Sequence, residues 1–90
     1  MMGAVEHWSV ELTIREHEGE TRAEAGLTMD EDASLLGRGT ARRHPSDPNV
    51  MEIGEKIAVA RALSDLAHIL LGSAAAQLED ITHHRAQLHL

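Results

Sequence analysis

The chain has 90 residues with 15 acidic and eight basic side chains, a formal net charge of −7, and no cysteine. This length corresponds to one domain with a small core, and the lack of cysteine excludes disulfides, thiolate metal sites and a cysteine nucleophile. The acidic balance argues against broad binding to polyanions, because duplex binding depends on neutralising several phosphates together.

Aromatic residues are nearly absent, with one tryptophan, no phenylalanine and no tyrosine. The core must therefore consist of smaller apolar residues, and small domains of this kind often gain stability by pairing. The N-terminal segment MMGAVEHW lacks the basic and apolar regions of a signal peptide. The strongly apolar run LAHILLG is far shorter than a membrane span. We therefore expect a cytoplasmic protein that does not engage a membrane.

Three runs of alternating apolar and polar residues open the chain. HWSVELTIREH predicts a half-buried strand over about residues 8–17. After the turn HEGE, in which Gly19 can adopt a positive φ, TRAEAGLTM predicts a second strand over 21–29. SLLGRGTARR predicts a third over 34–43, and three short strands joined by tight turns favour an antiparallel meander. The inner face of the first strand is expected to contain Trp8, Val10, Leu12 and Ile14.

Helices are predicted after the loop HPSDPN, whose prolines stop the sheet. Apolar periodicity predicts a long helix over about 52–71. Gly72 is placed to end it and Ser73 to cap a short C-terminal helix over 73–84, followed by a tail over 85–90. The predicted fold is a single two-layer α+β domain over 1–90, with the three-stranded meander followed by the two helices.

The long helix contains two adjacent apolar stripes, which together are wider than one sheet contact requires. The stripe expected to cover the sheet consists of Ile53, Ile57, Ala60, Ser64, Ala67 and Leu71. Its small members are expected to face Gly37 and Gly39, since glycine on the inner face of a strand indicates close approach of another backbone. The second stripe needs cover from the C-terminal helix or from a second copy of the chain. This predicted oligomer face consists of Val59, Leu63, Leu66 and Leu70.

The run GRGTARRHPSDPNVMEIGEKIAVARALSDLAHILL resembles the signature of a family of small actinobacterial proteins of unknown function. The family pattern is close to G-x-G-x-A-R, then Pro-x-Asp, then I-G-[DE]-x-[IL]-A-x-A-R-A-L-S-D-L-A. The matching positions are Gly37, Gly39, Ala41, Arg42, Pro45, Asp47, Ile53, Gly54, Glu55, Ile57, Ala58 and residues 60–67. The resemblance implies a fold like that of a double-stranded-RNA-binding domain, with a three-stranded antiparallel sheet backed by a helix, and it implies no activity.

Basic residues concentrate where the third strand meets the helix. Arg38, Arg42 and Arg43 form a candidate site for an anion or a partner, with binding of RNA or DNA through this edge as the alternative. The competing interpretation is a solvated sheet face on which arginines pair across strands with glutamates, each pair contributing about 0.2–1 kcal/mol. That face would contain Arg15, Arg22, Arg38 and Arg42 together with Glu11 and Glu24.

Nucleic acid is not the partner that we expect first. Domains with the implied fold grip RNA phosphates largely through a lysine-rich start to the helix after the sheet. Here that helix starts MEIGEKIA, in which Glu52 and Glu55 accompany the single Lys56.

No catalytic site or cofactor site is predicted. Ser64 and His68 stand one turn apart, but the serine lies on a core stripe and no sharp turn exposes it as a nucleophile. Arg61 and Asp65 are spaced as an intrahelical ion pair. Zinc needs three or four convergent ligands, and neighbouring helical residues point about 100° apart. No metal site is therefore predicted at His83, His84 and His89, whose role stays open.

Taken together, these patterns favour a non-catalytic protein-interaction or regulatory module. The helix is apolar over more of its surface than one sheet can cover. A homodimer is one way to cover it and the C-terminal helix of the same chain is the other, so the sequence leaves the oligomeric state open. A different protein partner stays open, since the sequence does not identify one.

Overall fold

The computed structural model describes residues 3–30, 33–44 and 50–88, with side chains described as far as His83. It contains three antiparallel strands in the order β1-β2-β3 and one long helix, which confirms the α+β class. The elements are β1 (Ser9–His17), β2 (Glu20–Thr28), β3 (Ser34–Arg42) and α1 (Met51–Leu88). Residues 31–32 and 45–49 of the predicted turns lie outside the described residues.

The turn between β1 and β2 has the positive φ expected at Gly19 and a second positive φ, not expected, at Glu18. Glu18 and Gly19 have φ values of 50° and 79°, and they join the paired residues His17 and Glu20. Two consecutive residues with positive φ form the tight hairpin turn that matches the twist of the flanking strands. The main-chain N–H of Arg43 donates to the carbonyl of Gly19 over 2.9 Å, which ties the end of β3 to this turn.

The register places alternate residues of all three strands on the side of the sheet that faces α1. Leu12 lies opposite Ala25, which lies opposite Gly37. On β2 these inward residues are buried, but on β1 they are 41–47% exposed. The reason is that α1 lies over β2 and β3 and leaves β1 at the margin of the contact. The apolar residues of β1 that stay uncovered are Val10, Leu12 and Ile14.

The contact between α1 and the sheet is made by residues with little or no side chain. A Cβ atom on Gly37 would overlap main-chain atoms of Ala62 and Leu66, and one on Gly39 would overlap those of Ala58 and Ala62. The helix backbone therefore lies directly on β3, as the inward glycines predict. The buried apolar core contains five alanines and two leucines: Ala23, Ala25, Leu27, Ala41, Ala58, Ala62 and Leu66.

The helix face that packs on the sheet is not the one that the sequence analysis selects. That prediction is wrong, because the residues of the stripe from Ile53 to Leu71 are exposed instead of being buried against the sheet. The face that packs instead contains Gly54, Ala58 and Ala62, at intervals of four residues. Only a face this small lets the helix approach two glycines so closely, which is the physical reason for the difference.

The helix also continues past its predicted end. Gly72 lies inside α1 without a positive φ, so it is not a C-cap, and Ser73 does not start a second helix. The predicted short C-terminal helix is therefore the second half of α1, and its tail residues 85–88 are helical too. A glycine inside a helix costs about 1 kcal/mol relative to alanine. This cost is too small to end the helix at Gly72, which is preceded by Leu71 and followed, after Ser73, by three alanines.

The helix α1 is long and has a largely apolar stretch. Within Met51–His83 an 18-residue window reaches a mean hydropathy of 1.3, so by length and composition alone this helix could cross a membrane. Core helices of soluble proteins meet the same criteria, so this is a weak indication.

Candidate functional site

A network of ion pairs occupies the face of the sheet that points away from α1. Glu20 accepts hydrogen bonds from the guanidinium groups of both Arg22 and Arg42, the latter over 2.8 Å. Arg38 pairs with Glu24 over 3.5 Å. The two arginines hold the pKa of the Glu20 carboxyl below its usual value, mainly through the hydrogen bond from Arg42. A mixed-charge face of cross-strand pairs is the interpretation that this geometry favours for Arg38 and Arg42.

The register decides which of the predicted pairs can form. Glu11 lies opposite Gly26, and Arg15 lies opposite Arg22, so neither meets an opposite charge directly across the strand pair. Glu20, which joins two arginines, is absent from the sequence-based set. Finding it requires the alignment of β2 with β3, because Glu20 meets Arg42 only across that pair.

Two side chains of α1 reach the outer edge of β3. The guanidinium of Arg61 donates to the carbonyl oxygen of Thr40 over 2.8 Å. The carboxylate of Asp65 accepts from the main-chain N–H of Arg38 over 2.9 Å. The predicted intrahelical pair is thus replaced by two contacts with the strand, which occupy main-chain groups that an exposed edge would leave open.

The candidate anion site lies where β3 ends and α1 begins. A surface cavity of about 250 Å³ is found there, between the β1–β2 turn and the first two turns of α1. Its lining includes Glu16 beside Arg42 and Arg43, together with the apolar residues Val50, Met51, Ile53 and Ile57. The charges around it are of both signs, and Arg42 is already bound to Glu20.

The residues considered for nucleophilic catalysis do not form a relay. Nδ1 of His68 lies 2.9 Å from the main-chain oxygen of Ser64, and Asp65 is directed to β3. Among the residues that the structure describes, no group of three histidine, aspartate or glutamate side chains could hold a metal ion. His83 lies on the exposed second half of α1, whereas the side chain of His84 and the whole of His89 lie outside the described residues.

The predicted oligomer face is divided by the packing of α1. Leu66 belongs to the core, and Val59 and Leu70 pack against that core. Leu63 is 41% exposed. Most of this stripe thus contacts the sheet of its own chain, while larger apolar surfaces lie on β1 and on the back of α1.

Exposed apolar side chains are the most prominent surface feature of the described residues. Fourteen large apolar residues are at least 40% exposed, compared with two leucines in the core. Those on the second half of α1 are among the most exposed, with Leu71 at 70% and Leu78 at 65%. Where such residues adjoin one another, exposed apolar surface marks an interaction site or an oligomer interface.

Comparison with known proteins places this arrangement among mycobacterial relatives. A family described as Rv2632c-like matches residues 6–87. The uncharacterized protein Mb1767 of Mycobacterium bovis is 48% identical over 84 residues, covering 93% of this chain and 88% of that protein. The uncharacterized protein Rv2632c of Mycobacterium tuberculosis is 40% identical over 74 residues, which cover 82% of this chain and 78% of that protein.

A solved structure shows the same fold. The crystal structure of Rv2632c superimposes with a TM-score of 0.83 at 36% identity, covering 92% of this chain and 98% of that one. The expected resemblance to a small actinobacterial family of unknown function is thereby confirmed at the level of the family.

Proposed function

The chain belongs to the Rv2632c-like family, and we propose that it is a non-catalytic protein-interaction module whose fold is completed by forming a homodimer. The observation that carries this proposal is the imbalance between a core of five alanines and two leucines and a surface with 14 exposed large apolar residues. A domain of this size with so few large buried side chains gains little from its own core. Oligomerisation is one of the usual ways in which small domains recover stability.

The absence of an assembled polar cluster supports the non-catalytic part of the proposal. Among the described residues, Asp65 and Arg61 of α1 are used in contacts with β3, and Glu20 and Glu24 of the sheet pair with arginines. We also propose that the protein is cytoplasmic and that its fold is related to that of double-stranded-RNA-binding domains. Neither is needed for the dimer.

The alternative of nucleic-acid binding has weaker support. Arg38 and Arg42 face carboxylates at 3.5 and 2.8 Å, so phosphate contacts would have to compete with existing ion pairs. Gel-shift titrations with duplex RNA and duplex DNA at low salt test it. A shift that disappears on Arg42→Glu or Arg43→Glu would favour this alternative over a purely protein-binding role.

Sedimentation equilibrium and thermal unfolding over a wide range of protein concentration test the dimer. We expect a dimer at micromolar concentration and a melting temperature that rises with concentration, because association stabilises the folded state by mass action. High salt should not dissociate it, since the surface in question is apolar and salt screens charges only. A folded monomer whose melting temperature is independent of concentration would overturn the proposal.

A further inference from the structure

The back of α1 carries a repeat that packing on the sheet does not use. Apolar or small residues recur at alternating intervals of four and three residues from Ile53 to Ile81. This is the heptad spacing with which helices pair in coiled coils. We call this surface the back seam, and it consists of Ile53, Ile57, Ala60, Ser64, Ala67, Leu71, Ala74, Leu78 and Ile81.

The back seam is continuous and exposed. All nine positions are exposed, and the five large side chains among them are 40–70% exposed. Because α1 passes through Gly72 without a break, the seam runs for about 42 Å at 1.5 Å per residue. It lies on the face of α1 away from Ala58 and Ala62, which contact the sheet, and at its start Ile53 and Ile57 also line the cavity at the end of β3.

We propose that a second copy of this chain docks on the back seam, so that the two helices pair as an antiparallel coiled coil with the two sheets on the outside. This inference rests on the proposed homodimer and identifies its interface. Five large side chains exposed by 40–70% along the seam supply apolar area toward the roughly 800 Å² that each partner contributes to an interface of standard size.

The sizes of the seam residues select the antiparallel orientation. In heptad notation, a positions hold Ile57, Ser64, Leu71 and Leu78, whereas three consecutive d positions hold Ala60, Ala67 and Ala74. A parallel pair would stack alanine on alanine in every second layer and leave voids, which close-packed interiors avoid. In an antiparallel pair, each a residue faces a d residue, so that alanine meets leucine or isoleucine except in the layer of Ser64, and the layers become more uniform.

Both ends of the seam fit this arrangement. The large residues Ile53, Ile57, Leu78 and Ile81 lie toward its ends, and the four small residues lie between Ala60 and Ala74, where Leu71 is the one large side chain of the seam. An antiparallel pair centred in that small stretch brings the N-terminal isoleucine of one helix to the C-terminal leucine or isoleucine of the other. The helices can approach closely at the centre, where Ser64 and Ala67 are small.

Charge does not oppose the pairing, although each copy is acidic overall. The five acidic residues of α1 in its described side chains lie outside the seam and outside the e and g positions that flank it. The flanking positions hold neutral, apolar or basic residues, including Arg61, His68, Leu63 and Leu70. Repulsion between the two chains is therefore kept away from the contact. The five acidic residues are Glu52, Glu55, Asp65, Glu79 and Asp80.

Two substitutions in the seam test the interface. We expect Leu71→Glu and Leu78→Glu each to weaken dimerisation at least 100-fold, measured by sedimentation equilibrium of the full chain. Both side chains are mostly exposed within one chain, so folding should survive, which circular dichroism checks. The matched control is Leu36→Glu, the same change at an exposed leucine on the other face of the sheet, and it should leave dimerisation unchanged.

Spin labels test the orientation, and the lack of native cysteine allows single labelled sites. Labels at Thr82→Cys should be about 40–50 Å apart in an antiparallel dimer at 1.5 Å per residue, and within about 20 Å in a parallel one with helices 8–10 Å apart. Labels at His68→Cys, near the centre of the seam, should be within about 20 Å of each other in both the antiparallel and the parallel dimer.

The outcomes separate the inference from the proposed function. A wild-type protein that is monomeric overturns the proposed function and the inference together. A wild-type dimer that persists in both seam variants keeps the proposed function and overturns the seam as its interface, which would direct attention to β1. A dimer lost in the seam variants whose Thr82 labels lie close together overturns the antiparallel orientation.

Discussion

Asp65 on α1 accepts a hydrogen bond from the main-chain N–H of Arg38 on β3 over 2.9 Å. One turn earlier on the helix, Arg61 donates to the carbonyl of Thr40 over 2.8 Å. These two contacts occupy the open edge of the sheet with side chains rather than with another strand. They also fix the helix along the strand that it covers, in the register set by the glycines of β3.

The hydrogen bond of Asp65 should contribute measurably to stability. We expect Asp65→Ala to lower the free energy of unfolding by about 1–2 kcal/mol, because the main-chain N–H loses a charged acceptor. Asp65→Asn keeps an acceptor oxygen, so its free energy of unfolding should fall by less. Urea unfolding of both variants measures the difference, and equal losses would show that the hydrogen bond is not the cause.

The glycines of β3 should not tolerate a side chain. We expect Gly37→Ala or Gly39→Ala to destabilise the protein by more than about 3 kcal/mol, because the new methyl group would overlap the main chain of α1 and force the helix outward. Gly26→Ala is the control on the neighbouring strand, since a Cβ there has no neighbour closer than 3.9 Å. Urea unfolding with all three variants checks this, and a mild effect at Gly37 would contradict the close approach.

Gly72 offers a test of the uninterrupted helix. We expect Gly72→Ala to stabilise the second half of α1 by about 0.5–1 kcal/mol, because alanine has the higher helix propensity and a Cβ at this position meets nothing within 4 Å. Amide hydrogen exchange of residues 73–83 measures the change. Faster exchange in the variant would indicate a helix that ends at Gly72 after all.

The ion pairs of Glu20 should make stability depend on pH. The pKa of Glu20 is lower in the folded protein than its usual value of 4.5, so folding favours the ionised carboxylate. The resulting stabilisation is complete when the pH is above the pKa that Glu20 has in the unfolded chain. It is lost as the pH falls through the lower pKa that Glu20 has in the folded protein. Glu20→Gln should therefore be less stable than the wild type at neutral pH, with a difference that shrinks as the pH falls below about 4.5.

Unfolding in urea from neutral to acidic pH measures that difference. As a control, the double variant Arg22→Gln, Arg42→Gln should reduce the effect of Glu20→Gln at neutral pH, because the carboxylate then lacks its partners. A difference between wild type and Glu20→Gln that stays constant with pH would contradict the assignment.

Local sequence patterns are sufficient to predict the sheet. Period-two alternation locates all three strands to within two residues, and Gly19 identifies the turn, because both features depend on neighbouring residues. The close approach at Gly37 and Gly39 is predictable as well, since glycine on the inner face of a strand leaves room for a neighbouring backbone.

The orientation of α1 is not predictable from apolar periodicity, because the helix has apolar residues on two faces. The decisive signal is residue size. Gly54, Ala58 and Ala62 recur every four residues, and their smallness matches the glycines of β3 across the contact. The back seam has larger residues at its ends, so apolar periodicity favours it for the core although it lies on the outside.

The alanine and glycine contact between α1 and β3 also reverses the usual pattern of mutational tolerance. In most domains, core positions can exchange one large apolar residue for another, with neighbours adjusting. Such exchanges are not possible at Ala58, Ala62, Gly37 and Gly39. A larger side chain at these positions would overlap the facing backbone, and the present side chains are too small to be shortened. Random mutagenesis of this protein should therefore find its least replaceable positions among its smallest residues.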